Sequence, residues 1–287
     1  MMQSLPGDAA FRIAAGRYGY DIMDATAAAS VRAELGLDRS LPLQFWSWMT
    51  QLANGDLGRS LVTGNPVWEE LAPQLAASMA LAGVAIIFSL VIAVPIGTVA
   101  GLWPGGIFDQ ATLLLSAGLR SVPAFALGVV LMLALAVEAR VLPVAGYGEA
   151  RHFVLPSLAL GLSLASVSNR VIRDAVVACS GSAWYAFART KGLSRPDVLV
   201  RHVARNAAVP TLAYVGVQLA LLIEGVVIIE SVFAWPGIGH ALVHAIFERD
   251  LPMVQGTALV LGLTFVILSF TVDLACRALD PRGSPAA

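Results

Sequence analysis

Charged residues are scarce in this chain of 287 residues: Asp, Glu, Lys and Arg make up 13 % of it, whereas they make up about 25 % of an ordinary soluble domain. Whole stretches contain none. These stretches lie between Glu70 and Asp109, Asp174 and Arg189, Arg205 and Glu224, and Asp250 and Asp273. The longer ones are rich in Leu, Val, Ile and Ala, and roughly 20 apolar helical residues cross a bilayer core. The sequence therefore predicts an integral membrane protein, not a soluble one.

Other features are missing as well. A net charge of −1 offers no basic surplus for phosphates, so no nucleic acid is expected as a partner. Two cysteines, Cys179 and Cys276, are too few for a disulfide framework, and we predict that both are thiols. Metal-ligand spacing is absent, and we assign no metal site. His240 and His244 are four residues apart and share a face if that segment is helical, but two histidines in a polar loop are favoured over a metal pair.

Five hydrophobic segments are present, which predicts an all-α, polytopic membrane helix bundle. The predicted spans are about residues 75–102, 110–137, 153–172, 208–229 and 252–272. Small residues recur along the third span, at Gly161, Ser163, Ser166 and Ser168. Such residues let helix backbones approach closely, so we favour helix packing for this face over a path for solute.

Basic residues set the expected orientation, because cytoplasmic loops carry an excess of Lys and Arg. Between the third and fourth spans these are Arg170, Arg173, Arg189, Lys191, Arg195, Arg201 and Arg205. That loop is therefore expected in the cytoplasm, together with residues 103–109 and the tail 283–287. Residues 138–151 and 231–251 are expected outside. We divide the chain into an extracytoplasmic region 1–70 and a membrane domain 71–282.

The cytoplasmic loop 178–207 has the pattern of two helices and a tight turn. Helix-favouring residues run to Lys191, and Gly192 is placed to end that helix in a left-handed conformation. Ser194 is placed to cap a second helix. Ala188 is expected to face outward among bulky and basic neighbours. Two interpretations stay open on physical grounds: a knob that fits a groove on a cytoplasmic partner, and a basic loop that only sets topology.

At this loop the chain resembles the coupling motif of binding-protein-dependent ABC importer permeases, in the group for dipeptides, oligopeptides and nickel. The similar segments, in order, are Leu5-Pro6-Gly7-Asp8, residues 32–38, Gly55 to Ser60, residues 142–148, Ala188 to Leu193, Arg201-His202, Arg205-Asn206, Glu230 with residues 232–239, Arg249-Asp250, and Leu279 to Arg282. The ordered matches cover nearly the whole chain. They imply a permease fold and a bacterial inner-membrane location.

The resemblance also implies a division of labour. The chain contains no GxxxxGK[ST] loop, so it is expected to be no enzyme and to bind no cofactor itself. ATP would be bound by two cytoplasmic ABC ATPases. A homologous second permease subunit would complete the pathway in the lipid bilayer, and an extracytoplasmic binding protein would deliver the solute. The residues implied at the ATPase interface are Ala188, Arg189, Lys191, Gly192, Leu193, Arg201, His202, Arg205 and Asn206.

This chain differs from the family at several positions. Members usually have six spans, the first lying before the Leu-Pro-Gly-Asp motif, so the first span is expected to be missing here, through a misassigned start or a real truncation. Ala186 stands where many members have an acidic residue. Arg120 and Glu224 are unusual charges inside predicted spans. Arg120 would lie about 16 Å along its helix, near the membrane centre.

Charges inside a membrane are candidates for function because each is costly there. Arg120 and Glu224 are therefore candidates for the translocation path, either as a pair or separately solvated in a cavity. Ser168 and Gln218 complete that set. We expect peptides as the solute, with nickel or a nickel chelate as the alternative. A stand-alone secondary transporter would instead show inverted repeats and ion-binding carboxylates, and we find no such repeat.

Overall fold

The computed structural model describes residues 40–279, and the regular structure in that range is helical. The predicted motifs at residues 5–8 and 32–38, the rest of region 1–39 and the tail from residue 280 lie outside the described residues. The helices are α1 (Leu41–Ala53), α2 (Val67–Leu102), α3 (Ile107–Ser121), α4 (Ala124–Met132), α5 (Ala150–Ser180), α6 (Ala183–Thr190), α7 (Arg195–Val198), α8 (Ala204–Val232), α9 (Ile238–Phe247) and α10 (Leu251–Leu279). The all-α prediction is confirmed.

Within the described range, three helices are long and apolar enough to cross a membrane: α2, α5 and α10. The pair α3 and α4, extended by a π-helical turn at Leu133–Glu138, becomes a fourth if its two parts count as one span. Helix α8 is 29 residues long and coincides with the fourth predicted span. The third predicted span is longer than expected, because α5 continues from residue 172 to Ser180.

A sharp bend separates α3 from α4, whose axes differ by 96°. Val122, between them, is extended at φ −100° and ψ 123°, and it precedes Pro123. A proline disfavours helical backbone in the residue before it and removes one N–H donor, so the helix ends there. The second predicted span is therefore broken by a bend at Val122. The depth inferred for Arg120 assumed an unbroken straight helix. Arg120 lies only two residues before this bend, so that depth does not apply.

The described residues form two compact units, and each is described separately. The first comprises residues 40–76 and 240–261, and the second residues 77–239 and 262–279. In the second unit, α5 is the central helix and packs against α3, α4 and α8. Apolar side chains fill the space between these helices. The largest fully buried ones in this core are Leu81, Leu155, Ile229, Phe233 and Trp235.

Glycine lets α2 and α5 approach closely. Gly97 and Gly101 are four residues apart on α2, and both face α5. A Cβ at Gly97 would lie 2.5 Å from the carbonyl oxygen of Asn169, and one at Gly101 would lie 2.7 Å from Cβ of Val176. Two small residues at this spacing are a common helix contact in membranes. From α5, Gly161 contributes similarly, since a Cβ there would lie 2.8 Å from Cβ of Phe88. The prediction that this face packs against another helix is thus confirmed at Gly161.

Substitution of Gly97 by Ala should destabilise the protein. The added methyl group has no room between α2 and α5, and overpacking of this kind costs roughly 1–3 kcal/mol. The measurement is the apparent melting temperature of the purified protein in detergent. Gly83, also on α2, is the matched control because nothing lies within 4 Å of its Cβ position. Gly83→Ala should leave the melting temperature unchanged or raise it, since Ala favours helix by up to ~1 kcal/mol. Equal melting temperatures for both variants would contradict the close approach.

Candidate coupling surface and associated polar clusters

The segment after α5 is a short helix followed by a tight turn. Ser182 caps α6, and its side chain accepts a hydrogen bond from the backbone N–H of Tyr185 at 3.4 Å. The helix ends at Thr190, and Gly192 adopts φ +85°. This left-handed backbone is unfavourable for residues with a Cβ, which explains glycine at the turn. The predicted left-handed termination at Gly192 is confirmed.

Ser194 begins the second part of the segment. Its hydroxyl oxygen accepts a hydrogen bond from the backbone N–H of Asp197 at 3.3 Å, as an N-cap does. The chain then runs through α7 and a π-helical turn at Leu199–Val203 directly into α8. The segment is therefore continuous with a long helix. The predicted helix–turn–helix is present.

Ala188 does not face outward, so that prediction is wrong. Its side chain is buried and belongs to an apolar cluster with residues of α5, α7, α8 and the π-helical turn before α8, among them Val176, Val198, Val203 and Ala207. The small side chain lets α6 lie close to these helices. Composition alone had suggested an outward position because the neighbours of Ala188 in sequence are bulky or basic. The packed face of a short helix depends on its tertiary neighbours, which the sequence does not show.

The outer face of the segment is exposed and basic. We call it the basic coupling surface, and its exposed members are Arg189, Lys191, Gly192, Arg201, His202 and Arg205. Leu193 and Asn206 are half-buried beside it. Several side chains are held locally: a guanidinium nitrogen of Arg189 donates to the carbonyl of Leu193 at 2.5 Å, and Asn206 donates to the carbonyl of His202 at 2.8 Å. The ammonium of Lys191 lies 4.7 Å from the centre of the Phe187 ring. Of the predicted interface residues, six are thus exposed, Leu193 and Asn206 are half-buried and Ala188 is buried, and their role at an ATPase interface stays a prediction.

Sequence reasoning missed an ion-pair cluster beside this segment. Asp109, at the start of α3, is buried and accepts from Arg170 at 3.0 Å and from Arg173 at 2.7 Å. Its carboxylate also accepts the backbone N–H of Gly105 at 2.9 Å. Arg170 further donates to the hydroxyl of Thr112 at 2.9 Å. Arg170 and Arg173 therefore lie on helix α5 and not in a loop. Their ion pairs with Asp109 hold the start of α3 against α5. The spacing of Arg170 and Arg173, three residues apart on one helix face, was the available signal.

The predicted path residues separate into different places. Ser168 and Gln218 lie together, buried, where the side-chain amide of Gln218 donates to the Ser168 hydroxyl and, at 3.1 Å, to the carbonyl of Leu164. Ser89 of α2 lies 3.4 Å from Ser168. Arg120 is exposed near the end of α3. Glu224 lies in α8, and its side chain is outside the described residues. The suggested pairing of Arg120 with Glu224 stays a prediction.

Glu230 organises the segment that follows α8. Its carboxylate is fully buried and accepts from the hydroxyl of Ser78 at 2.5 Å and from the N–H of Gly239 at 2.9 Å. Ser78 in turn accepts from the N–H of Ile238 at 2.9 Å. A Cβ on Gly237 would overlap the carboxylate, so this glycine is required for the close approach. Residues 233–239 are therefore tied to α8 and α2 by buried hydrogen bonds.

Two segments about 190 residues apart meet in the first unit. Asp250 is buried, and its carboxylate accepts from the Ser60 hydroxyl at 2.5 Å and from the Leu61 N–H at 3.1 Å. The N–H of Met253, at the start of α10, donates to the same carboxylate at 3.2 Å. The resemblance had singled out Gly55 to Ser60 and Arg249-Asp250 separately. Their contact is a result of the tertiary structure.

The described residues thus combine long apolar helices with an exposed helix–turn–helix between α5 and α8. Over residues 93–284 the chain matches the family described as "Binding-protein-dependent transport system inner membrane component". The chain belongs to this family. It is a permease subunit of an ABC importer, of the dipeptide and oligopeptide group, and it is not an enzyme.

Relatives of known name support the assignment. The chain is 37 % identical over 277 residues to the glutathione transport system permease protein GsiC of Pectobacterium atrosepticum, which covers 96 % of this chain and 89 % of that protein. Identity to the protein of the same name from Escherichia coli K12 is 34 % over the same lengths. These proteins are named as glutathione permeases, and the chain is similar to them along almost its whole length.

Solved structures agree on the fold. The MetNI methionine ABC transporter matches with a TM-score of 0.59 at 16 % identity, covering 73 % of this chain and 95 % of that one. An amino acid ABC transporter matches with a TM-score of 0.56 at 13 % identity, covering 73 % and 94 %. At such low identity these likenesses concern the fold alone.

Substitution of Asp109 by Asn should lower the stability of the protein. It removes the negative partner of two arginines, and a hydrogen bond to a charged group is worth roughly 2 kcal/mol. The check is thermal unfolding of the purified protein in detergent. Asp174→Asn is the matched control, because Asp174 also pairs with Arg173, at 2.9 Å, but its side chain is 71 % exposed. An exposed pair contributes little, so this variant should melt like the unchanged protein. Identical melting curves for both variants would contradict the role given to Asp109.

Proposed function

We propose that this permease subunit imports small peptides, and that the basic coupling surface is where cytoplasmic ATPase subunits bind. The proposal that ATPase subunits bind here rests on the exposed turn at Gly192, which is flanked by basic side chains and supported by a buried helix face. The proposal of peptide import rests on the similarity to relatives named for glutathione, which is a tripeptide.

The packing supports a mechanical role for α6. Its inner face, at Ala188, is buried against α5, α7 and α8, whereas its outer face is exposed. Protein cores are densely packed and transmit displacement instead of absorbing it. A partner that pushes α6 would therefore shift α5 and α8 with it. Binding at this surface would bias the bundle between two arrangements, as a coupled conformational change requires.

Further partners follow from the same proposal. ATP would be bound by two ABC ATPase subunits in the cytoplasm, since this chain supplies no phosphate-binding loop. A homologous second permease would complete the path, and an extracytoplasmic binding protein would deliver solute to the outer segments. In this orientation residues 231–251 face outward, and the surface around Gly192 and the end of α10 face the cytoplasm. Ser168, Gln218, Arg120 and Glu224 remain candidates for the path.

A bulky residue at Gly192 should abolish ATP-driven uptake without preventing membrane insertion. The position has open space, with nothing within 4 Å of a Cβ, so Val meets no neighbour inside the chain. Val does strain the left-handed backbone and alters the turn presented to a partner. We expect uptake by Gly192→Val to fall at least tenfold in cells that produce it at the normal membrane level. Gly192→Asn should retain most uptake, since Asn tolerates this conformation.

Gly64 provides the control for backbone strain. It has φ +76° and open space, but it lies in the segment between α1 and α2. Gly64→Val therefore introduces a comparable strain away from the basic coupling surface, and we expect uptake to persist. Normal transport by Gly192→Val would overturn the assignment of the coupling turn.

The proposed substrate class is tested by uptake of labelled solutes into cells that carry the chain with its own partner subunits. Deletion of this chain should abolish accumulation of labelled glutathione or a labelled dipeptide, and re-expression should restore it. Accumulation of nickel should be unchanged by the deletion. Loss of nickel uptake with peptide uptake intact would replace the peptide assignment with the nickel alternative.

A further inference from the structure

Helix α9 carries two histidines on one face, one turn apart, so the loop favoured for them from the sequence is wrong. The Nε2 atoms of His240 and His244 lie 3.1 Å apart, with the ring centres separated by 4.5 Å. His244 is exposed and His240 half-buried, so solvent reaches the pair. We propose that this pair is a binding site for a divalent transition-metal ion such as Ni²⁺ or Cu²⁺. The site is separate from the coupling surface and independent of the solute that the importer carries.

The distance between the two nitrogens carries the proposal. Imidazole nitrogen binds such metals at about 2.0–2.1 Å. Two nitrogens 3.1 Å apart, each about 2.1 Å from one ion, subtend an angle of about 95° at the metal. Adjacent positions in octahedral or square-planar coordination are close to this angle, whereas tetrahedral coordination is wider. Square-planar or tetragonal nitrogen coordination is typical of Cu²⁺ and Ni²⁺.

The protonation of the pair is compatible with metal binding. Without metal, the contact is a hydrogen bond in which one Nε2–H donates to the lone pair of the other Nε2. A bound ion needs both lone pairs, so the donor ring must carry its proton on Nδ1 instead. For two neutral rings, this change of tautomer moves one proton from Nε2 to Nδ1 through water and releases none. Neutral imidazole is the form that binds metals.

The helix holds both ligands in place before an ion arrives. Ile238 and Ala245 of α9 are buried, and both histidines lie on this same helix. Among the side chains that the structure describes, no third His, Cys, Asp or Glu forms a metal-binding group with this pair. This arrangement predicts an exchangeable, moderate-affinity site and not a closed structural one.

The test uses the full chain, purified without a polyhistidine tag and placed in lipid nanodiscs. Titration with Ni²⁺ alone, followed by calorimetry, should show saturable binding of about one ion per chain. Cu²⁺ bound at one equivalent should give an electron paramagnetic resonance spectrum with two nitrogen ligands. His244→Gln should weaken Ni²⁺ binding at least tenfold and leave at most one nitrogen from this pair. His240→Gln should have the same effect.

His202→Gln is the matched control, because it removes one imidazole from the basic coupling surface and leaves α9 intact. Its Ni²⁺ affinity should equal that of the unchanged chain. The helical content and melting temperature of each variant show whether it has folded, and His244→Gln, at an exposed position, should match the parent. The proposal is overturned if the parent shows no saturable binding, or if folded His244→Gln binds Ni²⁺ as tightly as the parent.

Discussion

The bundle depends on the close approach of α2 and α5 at Gly97 and Gly101. In a membrane, lipid is as apolar as the helix surfaces, so burial of apolar area favours association much less than it does in water. Close van der Waals contact and satisfied polar groups must therefore supply the free energy of helix association. A glycine at each of these positions brings the backbones together, and α5 then serves as the element against which α3, α4 and α8 pack.

Buried carboxylates fix the ends of the helices. Asp109 holds the start of α3 to two arginines of α5, Glu230 holds the segment after α8, and Asp250 joins the start of α10 to the segment before α2. Each carboxylate accepts several hydrogen bonds, and in each case at least one donor is a backbone N–H outside the helical hydrogen-bond pattern. Buried charged groups are costly unless paired in this way. These three residues therefore stabilise irregular segments, where helical hydrogen bonding is not available.

The basic coupling surface combines a rigid inner face with an exposed outer one. Its turn requires glycine at position 192 because the backbone there is left-handed. The buried side chain of Ala188 supports the turn from the inner face. A surface loop without such support would move independently of the bundle. The arrangement supports the proposal that an ATPase partner acts on the long helices α5 and α8 through this surface.

The sequence by itself determined the all-α class, the approximate position of the apolar helices, the family and the turn at Gly192. The helical class, the helix positions and the turn depend on hydrophobic length and on backbone preferences of residues a few positions apart. The family follows from short motifs that occur in order along the chain. The tertiary structure alone decided that Ala188 is buried, that α3 and α4 meet at 96° and that Asp109 pairs with Arg170 and Arg173. It also decided that Ser60 meets Asp250. These features depend on which faces of distant helices meet, and that depends on the packing of the whole chain.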